Sequence, residues 1–106
     1  MEPTVNNSGR IVVKADPDLR DLMPGYLENR RQDMATIDHA LLCADFELIQ
    51  RLAHSMKGSG GGYGFDGITA IGAAMELCAK AQQAEGIKEQ LQNLKQYLEK
   101  VEIVYD

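Results

Sequence analysis

The chain has no apolar run approaching the roughly 20 residues that a membrane span requires, and its opening residues, MEPTVNNSGR, lack the apolar core of a signal peptide. A cytoplasmic protein that does not enter a membrane is therefore expected. A concentrated basic face is missing too: 11 Lys and Arg are scattered among 16 Asp and Glu, for a net charge of −5. That balance disfavours nucleic acid and anionic membrane surfaces as principal partners. Cysteine is scarce. Cys43 and Cys78 each sit in an apolar helical context, ALLCAD and MELCAKA, and read as buried and reduced. Together with His39 and His54 they fall short of the four closely spaced ligands of structural zinc, so no metal is expected here. Internal repeats, an alternating strand pattern and the G-x-x-x-x-G-K-[ST] phosphate loop are absent as well.

What is present is the composition of one folded domain: 106 residues, 44% hydrophobic and 25% charged, enough for a single core. Residues 1–15 read as an N-terminal arm, disordered over its polar first ten residues, and residues 16–106 as the folded body. Within the arm, IVVKA (11–15) is a β-branched segment that could lie extended on the core, but no strand partner for it is evident.

Helix signals fill the rest. Asp16 and Pro17 make an N-cap and a first helical residue, predicting a short helix through Leu19 and Leu22. Pro24 restarts the chain into a helix reaching about Leu42, with Leu27, Met34, Ile37 and Leu41 inward. Asp45 caps a third helix whose core face is Ile49, Leu52, Ala53 and Met56. Ile68, Ile71, Met75, Cys78 and Gln82 mark a fourth, ended by Gly86. Ile87, Leu91, Leu94, Leu98, Val101 and Tyr105 trace the stripe of a fifth. The expected fold is all-α: an antiparallel four-helix bundle with a short additional N-terminal helix across one end.

The stretch HSMKGSGGGYG (54–64) places five glycines directly after one of only two histidines. On a helical wheel of about 100° per residue, His54 lies roughly 140° from the core face of the third helix and so points to solvent. Gln50, Lys57, Gly58 and Gly61 share its side. Each glycine in a helix interior costs roughly 0.5–1 kcal/mol relative to alanine, so something should offset Gly58, Gly60, Gly61 and Gly62. Missing Cβ atoms beside His54 would let another protein's backbone approach the imidazole, and glycines on the inner side would permit close helix packing. His39, in TIDHALL, reads as an ordinary surface histidine. GYGFDG (62–67) formally matches G-x-G-x-x-G, but it follows a helix rather than a strand, and nucleotide binding is not expected.

AHSMKGSGGGYG followed by MELCAKA resembles the histidine-containing phosphotransfer (HPt) domain, whose pattern is A-H-x-L-K-G, a glycine ten residues after the histidine and an acidic residue about twelve further on. Ala53, His54, Lys57, Gly58, Gly64 and Glu76 match in type and spacing, and Met56 replaces the usual leucine. GSGGGYG carries more glycine than the family's small and polar residues there. The resemblance covers residues 16–106. It implies a free-standing, monomeric phosphocarrier in a two-component phosphorelay, with His54 as phosphoryl acceptor, Lys57 assisting electrostatically, and Gln50, Gly58 and Gly61 meeting the partner. The implied partners are response-regulator receiver domains and a hybrid histidine kinase. Mg²⁺ and the acceptor aspartate would belong to the receiver, leaving this chain without a cofactor and without independent catalytic activity.

The chemistry suits that reading, because an imidazole at neutral pH is largely unprotonated and can attack phosphorus through a ring nitrogen. Two other classes remain: a helical adaptor that docks a partner without phosphoryl chemistry, and a hydrolase using His54. The hydrolase is short of a second base, since Asp45 and Glu47 lie upstream and Asp66 beyond the glycines.

Overall fold

The computed structural model describes residues 10–105. The polar segment expected to be disordered lies, apart from Arg10, outside these residues.

Local chemistry starts the elements where polar caps stand. Ile11–Ala15 forms strand β1. Asp16 then accepts a hydrogen bond from the Asp18 backbone N–H at 2.9 Å, and Pro17 opens a 3-10 helix, Pro17–Leu22, that packs on α1, Met23–Leu42. Asp45 caps α2, Phe46–Gly60, by accepting from the Leu48 N–H at 3.1 Å. A further 3-10 turn, Gly61–Tyr63, leads to Gly64 at φ 90°, a left-handed conformation open to glycine, and then to α3, Asp66–Lys80. Helix α4, Ala84–Lys100, and strand β2, Val101–Tyr105, complete the chain.

The four helices close a ring of contacts, α1 on α2, α2 on α3, α3 on α4 and α4 on α1. Met23, Ile37, Ile49, Met56, Phe65, Ile68, Met75, Ile87 and Leu94 fill the core. Ile49, Ala53 and Met56 of the α2 face are buried and Leu52 partly so. The α2–α3 pair is the tightest. A Cβ at Gly60 would lie 2.8 Å from the Thr69 nitrogen, and one at Gly72 would lie 2.6 Å from the Lys57 nitrogen, so both glycines allow near contact of backbones. Contacts descend α2 as they ascend α3: Gly60 meets Thr69, Lys57 meets Gly72, and His54 meets Glu76.

Three expectations are corrected. The last helix does not reach Tyr105. It stops at Lys100, and Val101–Tyr105 pairs in parallel with β1, from Ile11 opposite Val101 to Ala15 opposite Tyr105. Spacings at Leu98, Val101 and Tyr105 fit a helix, yet VEIVY also alternates, with Val101, Ile103 and Tyr105 half-buried and Glu102 and Val104 exposed. The partner strand decides for the extended form, and it supplies the pairing that IVVKA lacked in sequence. Val13 and Ala15 are buried, so the segment lies extended on the core as its β-branched composition suggested. Arg10 pairs with Glu102 at 2.6 Å, and the Arg20 guanidinium lies 4.4 Å from the centre of the Tyr105 ring.

Gly86, secondly, does not end the fourth helix. α3 ends at Lys80, Gln82 turns the chain at φ 55°, and Gly86 lies inside α4, where a Cβ would stand 2.6 Å from Cys78 Sγ. That glycine serves close packing rather than capping. Thirdly, Cys43 is exposed rather than buried, because the inward face of α1 ends at Leu41 and the chain leaves the core through Leu42 and Cys43. Cys78 is half-buried, and both thiols are free.

Candidate functional site

Helix α2 turns Ala53 and Met56 inward, which places His54 between them on the outer face with 68% of its side chain exposed. The neighbouring α3 delivers Glu76, a carboxylate whose side chain is only 9% exposed. Its two oxygens are divided between two partners on α2: Oε2 is 2.9 Å from His54 Nδ1, and Oε1 is 2.8 Å from Lys57 Nζ. Lys57 foremost, and His54 after it, hold the Glu76 carboxyl below its ordinary value of 4.5, against the burial that pushes it up.

An ionised carboxylate only accepts hydrogen bonds. The neutral His54 ring therefore carries its hydrogen on Nδ1, donating to Glu76, and keeps its lone pair on Nε2. One buried residue thus sets the tautomer, orients the ring and leaves a nucleophilic nitrogen on a largely solvent-exposed side chain.

The glycine-rich end of α2 is fixed from α3. Thr69 Oγ1 accepts from the Gly61 N–H at 2.8 Å and donates to the Lys57 carbonyl at 3.1 Å. Tyr26 bonds Ser59 through their hydroxyls at 2.8 Å and stacks on Tyr63, with ring centres 4.2 Å apart. These contacts order a segment whose composition alone would weaken a helix.

Of the residues singled out in sequence, His54, Gly58 and Gly61 are exposed, while Gln50 and Lys57 are half-buried. A Cβ at Gly58 would meet nothing within 4 Å, and one at Gly61 only the Thr69 hydroxyl and the Asp66 carboxylate beyond 3.5 Å. The space beside His54 is open. His39 sits in the last turn of α1, outside this group. Gly62 and Gly64 of GYGFDG belong to the turn after α2, and Gly67 lies inside α3 beneath the Tyr97 ring. Among the described residues no group of three His, Cys, Asp or Glu side chains could hold a metal ion, and no helix is long and apolar enough to cross a membrane.

Sequence reasoning missed Glu76 as the partner of His54. In the sequence the candidate second bases are Asp45 and Glu47 upstream and Asp66 beyond the glycines, none of them adjacent to His54. The available signal was the pairing of α2 with α3: once Gly60 faces Thr69, a residue near the far end of α3 must come opposite His54, and Glu76 is the acid on the inward side there.

Gly58→Leu is expected to fold at least as well as wild type, because the position is helical with open space around it. If His54 accepts phosphoryl groups as the sequence resemblance implies, this variant should accept them poorly from a protein donor, since the added side chain stands one turn from His54. Thermal unfolding and transfer measured on the same variant check both halves; undiminished transfer assigns Gly58 to something other than access.

The site is thus a surface histidine on a helical domain, held through one imidazole nitrogen by a buried carboxylate. The family is specific: the Hpt domain model matches residues 21–103, and the chain belongs to the Hpt domain family. Hpt domains act in histidine phosphotransfer within phosphorelays, in general as phosphocarriers without independent catalysis. No curated protein and no solved structure matches the chain.

Proposed function

We propose that the protein relays a phosphoryl group between aspartates of response-regulator receiver domains, with His54 as the intermediate acceptor. The observation that carries this reading is the 2.9 Å bond from His54 Nδ1 to Glu76 on a ring that remains 68% exposed. In the reading, α1 to α4 form an antiparallel bundle whose α2–α3 edge meets the receiver, with Gln50, Gly58 and Gly61 at the contact.

The step balances as a simple displacement. The Nε2 lone pair attacks the phosphorus of an aspartyl phosphate in line, the P–O bond to the aspartyl carboxylate breaks, and that carboxylate leaves with the electron pair. The Nδ1 hydrogen stays in place, so positive charge grows on the ring as the N–P bond forms, and the ionised Glu76 faces it directly. The same contact serves the reverse direction: while Nδ1 keeps its hydrogen, the imidazole departs as a neutral leaving group, and the phosphoryl can pass to a second aspartate. Lys57, on the same side of α2 three residues after His54 and paired with Glu76 at 2.8 Å, would share its charge with the equatorial oxygens of the phosphoryl group. Mg²⁺ and the aspartate are supplied by the receiver.

Incubation with phosphorylated receiver domains tests this. Acid-labile, alkali-stable label on His54 is the expected result, whereas receiver binding without label favours an adaptor. Lys57→Ala should slow transfer by roughly tenfold, less than the 10²–10³ lost with a preorganised donor, because Lys57 is 40% exposed and Glu76 still holds the ring. Transfer at the wild-type rate would make Lys57 a passive surface charge.

A further inference from the structure

Gly72 stands on α3 one turn before Glu76 and is buried against α2. A Cβ at this position would lie 2.6 Å from the Lys57 backbone nitrogen, 2.8 Å from the Ala53 carbonyl oxygen and 3.0 Å from Met56 Cβ. The first two atoms are backbone of the turn that carries His54, and a helix backbone cannot swing aside as a side-chain tip does.

We propose that Gly72 is a positioning residue for the phosphoryl site: by letting the α3 backbone press on residues 53–57, it sets the reach of Glu76 to His54 Nδ1 and Lys57 Nζ. The expected consequence for transfer rests on the phosphocarrier reading; the consequence for the hydrogen bond does not. Ordinary contact begins at 3.4 Å, so a methyl group at Gly72 requires the two backbones to part by about 0.8 Å. Applied to the 2.9 Å His54–Glu76 bond, that displacement carries it past about 3.6 Å, where a side-chain hydrogen bond is lost. Glu76 has little freedom to follow, being buried with each oxygen committed to a different partner on α2.

Gly60 supplies the comparison. Its Cβ would lie 2.8 Å from the Thr69 nitrogen and 2.9 Å from the Phe65 carbonyl oxygen, an equally hard contact between the same segments at the end remote from Glu76. A merely structural role for Gly72 predicts that the two alanine variants behave alike.

The experiment records the nitrogen NMR signature of the His54 tautomer, with His39 as internal reference, and the rate of His54 labelling by radiolabelled phosphoramidate. In that reaction Nε2 displaces ammonia from phosphorus, so no partner protein is needed. Wild type and Gly60→Ala should both show hydrogen on Nδ1 and label alike. Gly72→Ala should shift towards hydrogen on Nε2, the form favoured by free histidine in water, and label roughly tenfold more slowly, as misplacement by about 1 Å at a reacting centre leads one to expect. Ala53→Val thickens the same turn from the α2 side and should reproduce both changes. Wild-type tautomer and rate in Gly72→Ala overturn the proposal; if that variant does not fold, an unchanged tautomer in Ala53→Val overturns it. Wild-type protein left unlabelled at His54 overturns the phosphocarrier reading instead, and the tautomer comparison still decides the role of Gly72.

Discussion

His54→Gln protein incubated with a phosphorylated receiver domain is expected to carry no acid-labile, alkali-stable label, while His39→Gln protein labels as wild type does. The loss should be complete, because a glutamine amide has no nucleophilic nitrogen lone pair with which to form the N–P bond. The fold should survive. The side chain is 68% exposed and fills no part of the core, and the glutamine can still donate to Glu76, which also keeps Lys57. Helical circular dichroism and the unfolding temperature should therefore match wild type, separating chemistry from stability. Label that persists in His54→Gln but disappears in His39→Gln would move the acceptor to the last turn of α1.

Much of this arrangement was legible because it is local. Asp16 with Pro17, and Asp45, start helices through caps within three residues, and the structure shows both cap bonds. The 3.6-residue period of Ile49, Ala53 and Met56 fixes the inward face of α2, and the outward placement of His54 follows from it. What escaped depends on contacts distant in sequence. Val101–Tyr105 continues the helical spacing of α4, and only pairing with Ile11–Ala15 selects the strand. Gly86 looks like a helix stop until Cys78 of the neighbouring helix is seen to need the space. Glu76 was visible as one residue of a motif, but its contact with His54 spans 22 positions and depends on the packing of α3 on α2, where Gly72 brings the two backbones together one turn away. The five glycines after His54 consequently have more than one cause: open space at Gly58, backbone contact at Gly60 and a left-handed turn at Gly64.

Glu76→Leu should slow phosphoryl transfer by about a hundredfold, the scale expected when a preorganised charge facing a reacting group is removed. Nδ1 loses its acceptor, the ring loses its fixed tautomer, and the positive charge that develops during attack loses its counter-charge. Stability at neutral pH should change little, because Lys57 and His54 both reach solvent and leucine fills the buried space without a charge to accommodate. Glu76→Gln, which keeps one acceptor oxygen but not the charge, should fall between wild type and Glu76→Leu. The acid limb of stability supplies a second signature. Lys57 and His54 hold the folded-state carboxyl below its unfolded value near 4.5, so the native state favours ionisation. This contribution is fully present above about pH 4.5 and is lost as the pH falls through the lower folded-state value. Wild type should accordingly lose stability over that window by an amount absent from Glu76→Leu, which thermal unfolding across acidic pH resolves. A Glu76→Leu protein that transfers at the wild-type rate would show that the imidazole needs no carboxylate behind it, and that the contact on Nδ1 holds α2 to α3 without serving the chemistry.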